Sequence, residues 1–503
     1  VPSAVSSVKV VDAYGKNVPA QLLGCDGGKA KIALEAEVPA IGFTVYGVSF
    51  GKGRQIAGKA PYGSHIENSV YALTVDAKGD IISLVDKRCG KELVAPGKAI
   101  RLAVLSPNES PNYPAWEIFK EVIDREAGSL DGNVRISMSE NGPVRKALRI
   151  EKMLGESAFC QEIRLNEGAQ ADRIDFYNVV EWFGTDALIK MDFPLSVSNE
   201  KATYDLGFGS IERGNNTNIA YEVPSHNWTD LTDSDGSYGV TILSSYKYGW
   251  DKPADNEIRL TLLHAPSVKR FDYQSTQDQG HHEFSYSLIG HEGVLVKASA
   301  AKAGEQFNQK IKAFATTPHK GTLGKSLSLM TCDNPNILVA NLKKTEDGDS
   351  YAMTLFENSG EGTQHATITF SLPILSAERA DGTEKTIGKA AFSGNTLTVE
   401  VAPFSIASYK VKLRGQEPRL VENAPVVLDY DLRTCSFNAF RSDADFSHRN
   451  AYAAELFPEE LNVDGIPFTF GDKEAMTGLI CKGDTLALPT GKWNKVYLLA
   501  ASR

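Results

Sequence analysis

Apolar and polar positions alternate along most of this chain. Val134, Ile136 and Met138 are the apolar positions of NVRISMSE, Ile174, Phe176, Val180 and Trp182 those of IDFYNVVEWF, and Ile258, Leu260 and Leu262 those of NEIRLTLL. The same period runs through HEFSYSL (282–288), ATITFSL (366–372) and NTLTVEVAPF (395–404). A period of two places successive side chains on opposite faces of a strand. The turn clusters DAKGD (76–80), SENGP (139–143), ADGT (380–383) and SGN (393–395) separate these runs. Only PAWEIFKEVIDREAG (114–128) supports a helical stripe, through Trp116, Phe119 and Ile123, and it predicts a short helix or an irregular excursion.

Strands without intervening helices cannot build a parallel βαβ sheet, so the pattern predicts an all-β chain of antiparallel sandwiches. No Gly-rich phosphate-binding motif follows a strand, which removes nucleotide cradles. Three Gly-, Pro- and charge-rich stretches, GKGRQIAGKAPYGS (51–64), TTPHKGTLGKS (316–326) and GQEPRLVENAP (415–425), read as linkers. They divide the chain into residues 1–55, a small β-sandwich; 63–315, a large two-sheet structure; 325–414, another sandwich; and 425–503, a unit with fewer strands. At about 150 residues per domain, 503 residues agree with several cores rather than one. The start at Val1, already approaching a strand, and the end at YLLAASR predict a longer natural polypeptide.

Composition narrows the classes. With 42% hydrophobic and 23% charged residues the chain has the make-up of ordinary globular domains. A net charge of −10 and the lack of a basic run argue against nucleic acid. No window approaches the roughly 18 to 20 consecutive apolar residues of a membrane span, so a soluble protein is expected, its compartment open between periplasmic or secreted and cytoplasmic. Six scattered cysteines without a CxxC pair predict buried free thiols rather than a disulfide framework or zinc ribbon.

Candidate chemistry is sparse. A catalytic zinc needs about three converging protein ligands, and none of the nine histidines belongs to an H-x-D, H-x-H or H-E-x-x-H motif. His281, His282 and His291 are near one another in sequence and read as solvated loop residues; no metal is expected in this chain. No nucleophile elbow occurs. Carboxylate pairs such as Asp175 with Glu181, or Asp230 with Asp233 and Asp235, read as solvent-face and turn residues rather than a glycosidase pair. The aromatic residues Trp116, Trp182, Trp228, Trp250, Tyr238, Tyr246 and Tyr248 concentrate in the second unit. Trp182 alternates with Val180 and reads as core. Trp228 in SHNWTDL and Trp250 in KYGWDKP stand in polar, loop-like settings and are the better candidates for stacking on a sugar.

An ordered set of phrases goes further. VPAIGFTVYGV (38–48), IENSVYALTVDAKGDIISLVDKRCGKEL (66–93), DFYNVVEWFGTDALIKMDFPL (175–195), YDLGFGSIER (204–213), YEVPSHNWTDLTDSDGSYGVTILSSYKYGWD (221–251), NEIRLTLLHAP (256–266), DQGHHEFSYSLIGHEG (278–293) and APFSIASYKVKL (402–413) together resemble the C-terminal β region of glycoside hydrolase family 38 α-mannosidases. The resemblance implies a galactose-mutarotase-like supersandwich in the second unit, flanked by smaller β-sandwiches. It also implies a retaining hydrolase acting on α-mannoside glycans, whose zinc ligands and aspartate nucleophile lie in an N-terminal catalytic domain of the same polypeptide, outside this chain. No catalytic residue and no cofactor is then expected here, and the chain would support the catalytic domain and lend loops to the rim of the pocket. Asp278, Gly280, His282 and Phe284 match the family's D-x-G-x-H-x-F pattern, and Arg213 with Asn216 and Thr217 resembles its Arg followed by Asn-Thr, in a loop shortened on both sides. The candidate pocket or interface residues are thus Asp278, Gly280, His282, Arg213, Asn216, Trp228 and Trp250. SPNESPNYPAWEI (106–118) keeps Trp116 and Glu117 of a family phrase but lacks its leading aspartate. Residues 416–503 lie beyond the family's usual core and resemble the first half of a carbohydrate-binding-type jelly roll.

Two other readings use the same residues. A free-standing multidomain carbohydrate-binding protein could reuse these folds. A mutarotase-like enzyme could use His282 with Glu283, but adjacent strand residues face opposite ways.

Overall fold

The computed structural model describes residues 5–52, 63–110, 113, 116–267, 277–348, 350–415, 423–448, 450–463, 465–491, 493 and 495–502. Most of the expected linkers at 51–64 and 415–425 therefore lie outside the described residues, whereas 316–325 is described and has no strand or helix. The chain divides into two compact units, 1–414 and 415–503.

The largest sheet of the first unit has nine strands. A meander of Gly132–Asn141, Arg145–Leu154, Ser157–Asn166 and Ile174–Trp182 leads to the long strand Gly280–Glu292, followed across the sheet by Tyr238–Ser245, Trp228–Thr232, Ala202–Asp205 and Ser210–Arg213. Its tightest turn has Gly155 at φ +59°, a left-handed conformation that favours glycine. A six-stranded sheet orders Gly128–Ser129, Arg101–Leu105, Ala187–Pro194, Glu257–Ala265, Gly249–Ala254 and Val223–Pro224. A four-stranded sheet runs from Lys91–Glu92 through Ile81–Asp86 and Tyr71–Val75 to His65–Glu67. One core joins all three: Tyr71 and Leu73, Phe176 and Trp182, Tyr286 and Leu288, Ile189 and Phe193, Ile258 and Leu260. The fold is all-β, a large structure of nine-, six- and four-stranded sheets on one core with smaller antiparallel sheets beside it.

Alternation decides what each sheet turns outward. In Ala187–Pro194 the odd-numbered Ile189, Met191 and Phe193 enter the core, which leaves Leu188, Lys190 and Asp192 on the other face. That face is also covered. Leu188 and Leu105 pack with Val122 and Ile123 in a satellite cluster, and the expected helix within 114–128 is a four-residue turn of helix, Lys120–Ile123.

A second helix, Lys297–Asn308, was not signalled by an apolar stripe. Its contact face is made of Ala298, Ala300, Gly304 and Phe307, small residues that let it lie against Trp228 and Leu243. A Cβ on Gly304 would sit 3.0 Å from Asn227 Cβ. Trp228 is therefore buried beneath a helix, not in a polar loop.

Residues 330–413 form a four- and a five-stranded sheet around Met353, Ile368, Leu397 and Val411. Nearer the N-terminus, Ser7–Val11 pairs with Asn17–Val18 and Gly47–Gly51, Ala20–Asp26 pairs with Lys29–Leu34, and Gly42–Thr44 pairs with Ser326–Ser328. In 415–503 the described strands are short: Cys435–Ser436 beside Tyr452–Ala453, and Glu460–Val463 beside Ile466–Thr469.

The cysteines correct one expectation. Cys25, Cys89 and Cys481 are exposed and Cys435 is buried, with Cys160 and Cys332 between. A strand end or hairpin turn exposes a thiol whatever its apolar neighbours in sequence.

Candidate functional site

The Asp278 motif closes one end of the supersandwich. Register pairs Trp182 with Gly280 and Val180 with His282, and alternation puts His282 on the face of Phe284 and Tyr286, toward the interior. Asp278 has a left-handed φ of +57° and Gly280 a φ of +125°, so the chain reverses sharply into the strand. Three contacts fix that reversal. His282 Nε2 donates to the Asp278 carbonyl oxygen at 2.6 Å, the backbone N–H of His264 donates to Asp278 Oδ2 at 3.2 Å, and Gln279 Nε2 donates to the Phe183 carbonyl at 3.1 Å.

Around this turn stand groups that sequence reasoning did not single out. His264, at the end of Glu257–Ala265, is held below the usual histidine range by burial, against an opposing pull from Asp278. Its Nε2 is buried with no hydrogen-bond partner among the described residues. Lys247 lies 4.8 Å from the centre of the Phe284 ring, and burial lowers its pKa while Asp278 works to raise it. Next to it Tyr246 is exposed at φ +66°, a second non-glycine residue in a conformation that costs roughly 1–3 kcal/mol. Acceptor, donor and imidazole thus converge on one rim, the equipment for hydrogen-bonding hydroxyl groups.

His281 faces the opposite way. It sits between Glu181 at Nδ1 and Glu283 at Nε2, and both carboxylates raise its pKa. Because the two occupy opposite sides of one ring, they cannot converge on a single ion. No group of three His, Cys, Asp or Glu among the described residues could hold a metal, so these residues do not fit a zinc ion. His291 is on a strand, its Nε2 2.9 Å from Asp230 Oδ2. Asp230 and Asp175 are buried and hydrogen-bonded, contrary to the solvent-face expectation.

Arg213 and Asn216 belong elsewhere. Arg213 donates to the Pro224 carbonyl at 2.8 Å and lies over the Tyr204 ring. Asn216 donates to Asp251 Oδ2 at 2.9 Å and accepts from the Lys252 backbone. It joins a charged network on the outer face of the six-stranded sheet. There Lys190 Nζ donates to Glu222, Asp251 and Thr261 at 2.6–2.8 Å, and Arg259 pairs with Asp251. Burial alone would raise the Asp251 carboxyl, but Lys190 and Arg259 hold it below the usual carboxylate range.

Trp228 and Trp250 do not serve as stacking platforms. They are 2% and 0% exposed, and burial of such a ring contributes roughly 1.5–3 kcal/mol, which keeps it from swinging out. Of the candidate aromatic residues, the exposed rings are Tyr246, Trp116, stacked on Tyr113 at 5.3 Å, and Tyr248, stacked on His226 at 6.0 Å. Nothing in local polarity distinguishes the two kinds; the covering elements do.

The fold is that of a multi-sheet antiparallel β-sandwich protein. Residues 66–272 match the family model described as the glycosyl hydrolases family 38 C-terminal domain, and residues 336–409 match the family 38 C-terminal beta sandwich domain. This chain is a C-terminal region of glycoside hydrolase family 38. Residues 422–503 match an AziU2-like beta-sandwich domain. Alpha-mannosidase G of Dictyostelium discoideum is 27% identical over 362 residues, covering 69% of this chain and 32% of the relative. Alpha-mannosidase 2C1 of Mus musculus is 26% identical over 362 residues, covering 70% and 34%. The matched part is thus about a third of those relatives. The solved structure of a family 38 protein from Enterococcus faecalis superposes with a TM-score of 0.65 at 15% identity, covering 81% of this chain and 53% of that one, a likeness of fold. No helix among the described residues is long and apolar enough to cross a membrane.

Proposed function

We propose that this chain is the C-terminal accessory part of a retaining α-mannosidase, supporting an N-terminal catalytic domain of the same polypeptide and lending the Asp278 turn to the rim of the mannose pocket. The observation that carries it is the alignment with proteins named alpha-mannosidases over 362 residues, together with family 38 matches at residues 66–272 and 336–409, on either side of the turn. Zinc and the nucleophile belong to the catalytic domain. Here Asp278 offers a carboxylate held by one backbone contact and His264 an unmet ring nitrogen, both suited to sugar hydroxyls. Gly280 lets the backbone approach a ligand closely, since a Cβ there would meet no atom within 4 Å.

The test begins with the natural polypeptide. Its intact mass should include a preceding catalytic domain, and the complete protein should hydrolyse an aryl α-mannoside while the isolated 503-residue chain with added zinc does not. A natural product that ends near this chain's own mass and binds glycans without turnover would favour a free-standing carbohydrate-binding protein instead. In the complete protein, Asp278→Ala should lower kcat/KM about tenfold or more with the melting temperature nearly unchanged; unchanged kinetics would make the turn structural.

A further inference from the structure

The turn that follows Tyr238–Ser245 carries a cation to the Asp278 end of the sandwich. The last register pair of that strand is Ser245 with Ser285, so the chain leaves the sheet beside Phe284. Three contacts hold the turn. Ser244 Oγ donates to the Lys247 carbonyl at 2.6 Å, the Ser225 backbone N–H donates to the Tyr248 carbonyl at 3.0 Å, and the Tyr248 ring stacks on His226. Tyr246 and Tyr248 are exposed, whereas Lys247 between them turns back over the Phe284 ring, its Nζ 4.8 Å from the ring centre.

Other lysines withdrawn from water in this fold are matched by oxygen. Lys152, Lys190 and Lys252 each donate from Nζ to one to three acceptors at 2.6–2.8 Å. Lys247 differs: among the described residues its Nζ meets the face of a ring and no oxygen acceptor. A ring face attracts the charge, but an ammonium carries three donors that it does not satisfy. Burial lowers the Lys247 pKa against the pull of Asp278, so the group has given up part of its hydration without a protein acceptor in exchange. It is half-buried rather than sealed, which leaves those donors open to a ligand. Asp278 nearby sets the kind of acceptor, since its carboxylate repels an anion and leaves a neutral oxygen as the better partner.

We propose that Lys247 is a specificity-determining residue of this rim, its ammonium donating a hydrogen bond to an oxygen of a neutral saccharide. A charge-assisted donor is roughly twice as strong as a neutral one, so this contact sets substrate affinity rather than the chemical step. The inference rests on the reading of the rim as part of a mannoside pocket, and it adds to the Asp278 turn a donor contributed by a different strand end.

Two measurements on the natural polypeptide test it. With an aryl α-mannoside, Lys247→Met keeps an apolar stem on Phe284 but removes the donors. It should raise KM about 10- to 100-fold with kcat and the melting temperature little changed, and Lys247→Arg should recover much of the loss. Separately, excess methyl α-mannoside should slow acetylation of Lys247 by acetic anhydride several-fold, read by peptide mass, while the exposed Lys201 reacts as before. An unchanged KM in Lys247→Met together with an unprotected Lys247 overturns the inference and leaves the mannosidase reading standing. Joint loss of kcat and melting temperature in Lys247→Met, without protection by the sugar, makes Lys247 structural and overturns it as well. A polypeptide that turns over no α-mannoside but shows Lys247 protected overturns the mannosidase reading and keeps the saccharide contact.

Discussion

His282 reaches back four residues to donate its Nε2 proton to the carbonyl oxygen of Asp278 at 2.6 Å. A side chain on the inner face of the strand thereby closes the turn that leads into it. Two of the four motif residues thus have a conformational role as well as any contact with ligand.

Removing that contact should loosen the turn before anything else. His282→Ala is expected to speed amide hydrogen exchange at Gln279 and Gly280 while global stability falls by only about 1 kcal/mol, the net worth of one hydrogen bond. Gly280→Ala should cost about 1–2 kcal/mol through its positive φ alone. Exchange unchanged in both variants would show that the turn is held by other contacts.

The buried ion network should respond asymmetrically. Asp251 is 1% exposed and meets both Lys190 and Arg259, so Asp251→Ala leaves two buried cations without their shared partner. Denaturant unfolding should register a loss of about 3–5 kcal/mol. The exposed pair Lys201 and Glu212, 3.6 Å apart, serves as control, with an expected effect of about 0–1 kcal/mol.

Asp192 should leave a signature in the pH dependence of stability. Its carboxyl faces Glu257 and Arg259 on one strand and Arg101 on the other, and its folded pKa of about 7 lies above the unfolded value. The folded state then holds more protons, so this group's contribution is fully present below about pH 4 and is lost as pH rises through about 7. Asp192→Asn should therefore melt close to the parent protein at pH 5 and above it at pH 8. Parallel curves across that range would sink this assignment.

Helix Lys297–Asn308 depends on a small residue at its contact. Gly304→Val would press branched atoms against Asn227 and Trp228, where even a Cβ is at 3.0 and 3.4 Å. Overpacking of this kind costs about 1–3 kcal/mol, readable as a lower melting temperature and a change in tryptophan fluorescence.

Thiol accessibility offers a check on burial. In the native chain a thiol reagent should label Cys25, Cys89 and Cys481 fast and Cys435 only after unfolding. Rapid native labelling of Cys435 would contradict its place beneath Thr434 and Thr477.

Much of the fold was legible because strand faces are a local property. The alternation of Ile258 and Leu260 with Arg259 and Thr261 already separates core from outer face. The Asp278 motif was legible for the same reason, its residues lying within one turn and the start of one strand. His264 and Lys247 were not, since they reach that corner from other strands. The helix at 297–308 escaped because its packing face is alanine and glycine, which bury little apolar surface and leave a weak stripe.

By itself, the sequence determined the all-β class and the inward and outward faces of its strands, both set by residues close together in the chain. Only the tertiary structure decided that Trp228 and Trp250 are sealed, that Lys190 and Asp251 form a buried pair, and that Asp192 is buried beside Glu257. Burial and pairing depend on which distant segment covers a residue, and that covering is fixed by packing between elements rather than by the residues on either side.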